Sequence, residues 1–164
     1  MHAKTTQLKI ADVFHRDSLV SVHEQAPLAE VGKILAAHEI SGLAVVDDRG
    51  FLVGEISQTD LVRQIAAAFA PSPDRAEEAS ASDRARRLED EFFHRTARDL
   101  MQRKVRYVAP IDALRSVVHM MRLQRIHRVL VVEDGRPIGI VTSFDLLRLI
   151  EDPQFFHEFY GVDR

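Results

Sequence analysis

The chain has 164 residues, 46% of them hydrophobic and 29% charged, and a net charge of −3. This fits one ordinary globular domain, or two small ones sharing a core. The absence of cysteine excludes a disulfide scaffold, a thiolate nucleophile and a cysteine-ligated zinc site. The opening MHAKTTQLKIADVF has no apolar core of the signal-peptide kind, and no apolar run is long enough to span a bilayer. A cytoplasmic protein without a membrane partner is the expectation.

In chain order, residues 8–65 open with Asp12-Val13-Phe14 and a short extended segment, LVSV. An amphipathic helix follows, its apolar residues Leu28, Val31, Ile34 and Leu35 recurring three and four apart. After Ile40-Ser41-Gly42 comes a β-branched strand, LAVV, then the polar turn DDRG and a second strand, LVGEIS. A closing helix begins near Ser57. Residues 66–95 read as a linker: Pro71 and Pro73 stop the preceding helix, and the Ala-, Glu- and Arg-rich remainder is expected to be partly helical. Phe92 and Phe93 are placed to dock on the body.

Residues 96–150 repeat the order. Asp99-Leu100-Met101 is followed by VRYVA, a helix with Leu114, Val117, Val118 and Met121 on its apolar side, Ile126-His127-Arg128, the strand VLVV, the turn EDGRP and the strand PIGIVT. A closing helix begins near Thr142. The tail, residues 151–164, gathers Phe155, Phe156, Phe159 and Tyr160, a cluster suited to packing on its own domain or to a dimer contact.

The two stretches are copies. Asp12 pairs with Asp99 at an offset of 87, ISGLAVV with IHRVLVV at 86, and Gly54, Ser57 and Asp60 with Gly139, Thr142 and Asp145 at 85. Two single-residue deletions in turns bring them into register. A duplicated β-α-β-β-α unit is predicted. Each copy, at about 55 residues, would hide only roughly 60% of its unfolded surface alone. The expectation is therefore an α/β (α+β) body in which two β-α-β-β-α motifs pack with pseudo-twofold symmetry.

The charge divides unevenly. Residues 8–65 carry five Lys/Arg against nine Asp/Glu, a balance of −4, whereas residues 98–128 carry eight Lys/Arg against two acids, a balance of +6. An anionic ligand would prefer the second half; alternatively the two are solvated faces of opposite sign. Ser57-x-x-Asp60 and Thr142-x-x-Asp145 fall where a strand ends and a helix starts. In one reading they are capping boxes that satisfy free backbone N–H groups. In the other, the helix start favours an anion or polar ligand, the carboxylate accepts hydrogen bonds from vicinal ribose hydroxyls, and the neighbouring hydroxyl holds a ribose or phosphate oxygen. The readings are compatible, since Thr142 can cap while Asp145 binds.

DVF or DLM at the start, ISGLAVVDDRG or IHRVLVVEDGRP in the middle, and G-h-x-[ST]-x-x-D at the end, in two ordered copies, resemble CBS motifs and together a tandem pair, or Bateman module. The resemblance covers residues 8–65 and 96–150. It implies a central cleft that binds an adenosine-containing ligand such as AMP, ADP, ATP or S-adenosylmethionine. The ribose role would fall on Asp145 and Asp60, and the ribose or phosphate role on Thr142 and Ser57. The base would lie near Val108 and Ile126, or near Val22 and Ile40. His127 and Arg128 match the basic element that contacts phosphates, with Arg106 adding to the field; the bland alternative is a solvated strand end. The first copy has Ser41-Gly42 there and no cation. One missing Arg–phosphate contact would cost one to two decades of affinity, from about 1.5–3 kcal/mol.

None of the eight histidines shows H-x-x-x-H or H-E-x-x-H spacing, and no nucleophile elbow or glycine-rich phosphate loop is present. A non-enzymatic regulatory module is expected, needing no cofactor beyond an adenine nucleotide as regulatory ligand. Its partners would be an effector protein and a second copy of the chain in a homodimer formed through helical faces. Two alternatives remain: a structural or dimerisation module with empty clefts, and nucleic-acid binding through residues 98–128, which would be steeply salt-dependent.

Overall fold

The computed structural model describes residues 8–14, 19–69 and 94–151, with isolated positions between 80 and 89. The first copy forms β1 (Ser21–His23), α1 (Leu28–Ala37), β2 (Gly42–Val46), β3 (Leu52–Ser57) and α2 (Gln58–Phe69). The second forms β4 (Tyr107–Val108), α4 (Leu114–Gln124), β5 (Arg128–Glu133), β6 (Arg136–Thr142) and α5 (Ser143–Glu151), preceded by the short helix α3 (Ala97–Leu100). The duplicated β-α-β-β-α order is thus present in both copies.

Each copy builds one three-stranded sheet, ordered β1-β2-β3 and β4-β5-β6. The β-branched strand is central in both: β2 pairs parallel to β1 and antiparallel to β3, as β5 does to β4 and β6. The parallel pairing is reached through a crossover helix, as geometry demands. The antiparallel pairs turn on different loops. In the second copy Asp134 and Gly135 both take positive φ, 50° and 76°, the backbone of a two-residue hairpin turn matched to strand twist. In the first, Asp47 Oδ1 accepts from the N–H groups of Arg49 (2.9 Å) and Phe51 (2.8 Å) across a longer loop. The sequence offset changes from 86 to 85 at this point.

The chain divides into two compact units, but not at the repeat boundary. One unit joins the residues before Val20 to those from Arg106 onward; the other runs from Val20 to Val105. Each leading segment therefore packs into the unit built by the other copy's strands. Ile10 and Val13 are buried with Val108, Leu114, Val117, Met121, Val129, Val131 and Val141. Ala97 and Met101 are buried with Val22, Leu28, Val31, Leu35, Leu43, Val45 and Ile56. Backbone bonds pin both segments in the same way. Ile10 N–H donates to Asp112 O and Leu114 N–H to Leu8 O, each at 2.9 Å; Ala97 N–H donates to Ala26 O at 2.8 Å and Leu28 N–H to Arg95 O at 3.0 Å.

One core expectation needs correction. Val118 is 40% exposed. Leu114, Val117 and Met121 already define a stripe three and four residues apart, and Val118 lies about 100° around the helix from Val117. Ile34, by contrast, is partly buried against its core. α2 continues four residues beyond Ile65, to Phe69, and of the linker, positions 82, 83, 85, 86, 89 and 94 are helical. Pro71, Pro73, Phe92, Phe93 and the tail aromatics Phe155, Phe156, Phe159 and Tyr160 lie outside the described residues. Among the described residues no helix is long and apolar enough to cross a membrane.

Candidate functional site

In each unit the second antiparallel strand runs directly into the closing helix, and the Ser/Thr-x-x-Asp sequence sits on that junction. Both junctions are complete capping boxes. At the second, Thr142 N–H and Oγ1–H each donate to Asp145 Oδ2 at 2.7 Å, and Asp145 N–H donates back to Thr142 Oγ1 at 3.3 Å. At the first, Ser57 N–H and Oγ–H donate to Asp60 Oδ2 at 2.9 and 2.5 Å, and Asp60 N–H returns to Ser57 Oγ at 3.2 Å. The capping reading is thus realised in full. It leaves the ligand reading open, because a box uses only one carboxylate oxygen.

The other oxygen distinguishes the copies. Asp60 is buried, 7% exposed, and its Oδ1 accepts from Gln102 Nε2–H at 3.2 Å, with Arg63 Nη1 4.0 Å away. Asp145 is half-buried, and among the described residues no donor reaches its Oδ1. A carboxylate oxygen left over by the box is an acceptor for a ligand hydroxyl.

Sheet register brings the cations to this junction. Arg128 is the direct cross-strand partner of Thr142, and residues directly opposite stand within about 5.5 Å at Cα. His127 O accepts from Ser143 N–H at 2.9 Å, so residues 127 and 128 flank the first turn of α5. Tyr107 pairs with Leu130, which puts the exposed Arg106 at the same end of the sheet. In the first unit the corresponding partner of Ser57 is Gly42, and Gln58 N–H donates to Ser41 O at 3.0 Å. The scaffold is the same, but Ser41 and Gly42 carry no charge where the second unit has His127 and Arg128.

The apolar residues are placed differently. Ile40 and Ile126 are partly buried at the lip of their cores. Val22 and Val108 are core residues, 6% and 5% exposed, with side chains packed among Leu28 and Leu114 and their neighbours. Gln102, which reaches Asp60, is a site residue that sequence reasoning did not find. Nothing in its local sequence marks it, because its role depends on pairing across strands. Among the described residues no group of three or more His, Asp or Glu side chains could hold a metal ion.

Two sheets of β-α-β-β order, each ending in a capped Ser/Thr-x-x-Asp junction, define a tandem motif pair of the Bateman type. The family model for the CBS domain matches residues 10–67 and 97–152, and the chain belongs to that family of regulatory modules. It is similar to an uncharacterized protein of Methanocaldococcus jannaschii, MJ1426: 32% identical over 144 residues, covering 80% of this chain and 85% of that one. The CBS domain of a CBS domain-containing membrane protein from Sphaerobacter thermophilus superposes with a TM-score of 0.65 at 35% identity, covering 87% of each chain. The CBS domain pair of protein MJ0100, in complex with 5'-methylthioadenosine and S-adenosyl-L-methionine, has a TM-score of 0.65 at 26% identity, covering 87% of this chain and 99% of that one. Some relatives are longer. The chain spans 21% of L-aspartate semialdehyde sulfurtransferase of Methanocaldococcus jannaschii, to which it is 33% identical over 131 residues.

Proposed function

We propose that the chain is a regulatory sensor. It binds an adenosine-containing nucleotide (AMP, ADP, ATP or S-adenosylmethionine) at a strand–helix junction and passes the signal to an effector protein. The observation that carries this reading is the second junction: Asp145 is fixed through Oδ2, no donor among the described residues reaches Oδ1, and Arg128 is directly opposite Thr142. The complex of the MJ0100 pair with adenosine derivatives supports the ligand class.

In this reading Asp145 accepts the ribose hydroxyls, Thr142 steadies the carboxylate and offers its hydroxyl oxygen, and Ile126 lies against the base. Arg128, with His127 and Arg106, meets the phosphate, aided by the helix N-terminus. The first copy carries the corresponding residues Ser57, Asp60 and Ile40, with Ser41 and Gly42 in place of His127 and Arg128. Buried Val22 and Val108 support the strands beneath rather than offering an open apolar surface. The chain also associates as a homodimer, cytoplasmic by expectation. That part of the proposal is supported by exposed apolar stripes: Phe144, Leu147 and Ile150 on α5 (76%, 55% and 53% exposed) and Val62 and Ile65 on α2 (62% and 40%).

The test is a thermal-shift series with AMP, ADP, ATP, S-adenosylmethionine, NAD and a GMP control, on the wild type and on Asp145→Asn. The asparagine keeps one acceptor oxygen for Thr142 and replaces the other with an amide donor. Stabilisation by an adenine ligand, lost in Asp145→Asn, is expected. No shift with any adenine ligand refutes the proposal.

A further inference from the structure

We propose that Gln102 closes the first junction, so that each chain holds one nucleotide, on Asp145 and not on Asp60. This rests on the nucleotide reading above and adds its stoichiometry and the residue that sets it. A ribose presents hydroxyl donors to a carboxylate; at Asp60 the chain supplies its own donor instead. Gln102 Nε2–H donates to Oδ1 while Ser57 N–H and Oγ–H hold Oδ2, so both oxygens are engaged before any ligand arrives.

The amide is held there by backbone structure. Gln102 and Glu55 exchange two hydrogen bonds, Gln102 N–H to Glu55 O at 2.8 Å and Glu55 N–H to Gln102 O at 3.1 Å. The preceding residue, Met101, is buried against β3 so closely that only a glycine fits beneath it: a Cβ on Gly54 would stand 2.5 Å from Met101 Sδ. Gly54 thus seats Met101, Met101 sets the Gln102–Glu55 pair, and the pair aims the amide at Asp60. Arg63 Nη1 stands 4.0 Å from Oδ1, too far to donate a hydrogen bond but near enough to attract the carboxylate charge. A ligand would have to displace the amide without a phosphate contact in return, because Ser41 and Gly42 stand where the other unit has His127 and Arg128.

The full-length chain is titrated calorimetrically with AMP, ATP and S-adenosylmethionine in turn. One equivalent per chain is expected in the wild type, retained in Asp60→Asn and lost in Asp145→Asn. The exposed Gln102 side chain can be truncated without breaking its backbone pair. Gln102→Ala should therefore add a second, weaker event that Asp60→Asn on that background removes. Two equivalents in the wild type, loss of binding in Asp60→Asn, or no second event in Gln102→Ala would overturn this inference and leave the nucleotide reading standing. No binding to wild type or Gln102→Ala by any of the three would overturn both. A ligand-free check is independent of either: the side-chain amide resonances of Gln102 should shift in Asp60→Asn, and unchanged resonances would overturn the inference.

Discussion

Gly54→Ala isolates the contact that organises the first unit. The added methyl would lie 2.5 Å from Met101 Sδ, 2.7 Å from Cγ and 2.9 Å from Cβ, where ordinary carbon contacts are about 3.5–4.0 Å. A rotamer change of Met101 relieves the first two approaches but not the third, since Cβ is fixed to a backbone bonded through Gln102 to Glu55. Either the strand pair separates or the core shifts, an overpacking cost of about 1–3 kcal/mol. For a chain of this size each kcal/mol moves Tm by roughly 2–4 °C. Met101→Ala alone removes a buried side chain, 7% exposed, at about 2–5 kcal/mol. In the double variant the approaches to Sδ and Cγ are gone and only the one to Cβ remains, so the combined loss should fall short of the sum by about 1 kcal/mol or more. Urea unfolding of the four proteins completes the cycle. Additivity within about 0.3–0.5 kcal/mol would refute the reasoning, because it would mean the two side chains do not compete for one space.

Three further outcomes follow from the same geometry. Thr142→Ala and Ser57→Ala each remove a cap and should cost about 1 kcal/mol in denaturant unfolding; no loss in either would mean the boxes are unimportant to their helices. Arg128→Gln should weaken AMP binding by roughly tenfold or more while leaving adenosine nearly unchanged, because it removes a charge-assisted phosphate contact; equal losses for both ligands in calorimetry would contradict the phosphate role. Hydrogen bonds from Thr96 N–H and Oγ1–H hold the Asp99 carboxyl below the usual carboxylate range, with Arg95 and Arg98 lowering it further against a small effect of burial. A group depressed in the folded state stabilises the fold above its unfolded pKa, about 3.9, and that stabilisation is lost as pH falls through the lower folded value. Asp99→Asn should therefore flatten the acid limb of the stability profile below about pH 4, leaving the slope near neutrality unchanged; an unaltered acid limb would count against it.

Much of the fold is legible in the sequence, for local reasons. The 3.6-residue spacing of Leu28, Val31 and Leu35 and the β-branched runs LAVV and VLVV specify their elements through the side each residue must bury. The Ser/Thr-x-x-Asp pairs mark helix starts because a short oxygen-bearing side chain satisfies N–H groups within one turn. The duplication itself required only comparison of the chain with itself. Val118 departs from the expected stripe because an apolar residue next to a stripe looks the same in sequence as one within it.

What the sequence alone determined is therefore what acts over a few residues: element type, order, repeat and cap. Only tertiary structure decided which copy each leading segment joins. Ile10 with Val13 and Ala97 with Met101 are apolar and similarly spaced, so pattern cannot say into which of two near-equivalent cores they fold. That exchange, far along the chain, is what carries Gln102 to Asp60. The register that sets Arg128 against Thr142 is likewise a property of paired backbones, since a shift of one residue would turn the guanidinium to the other face of the sheet.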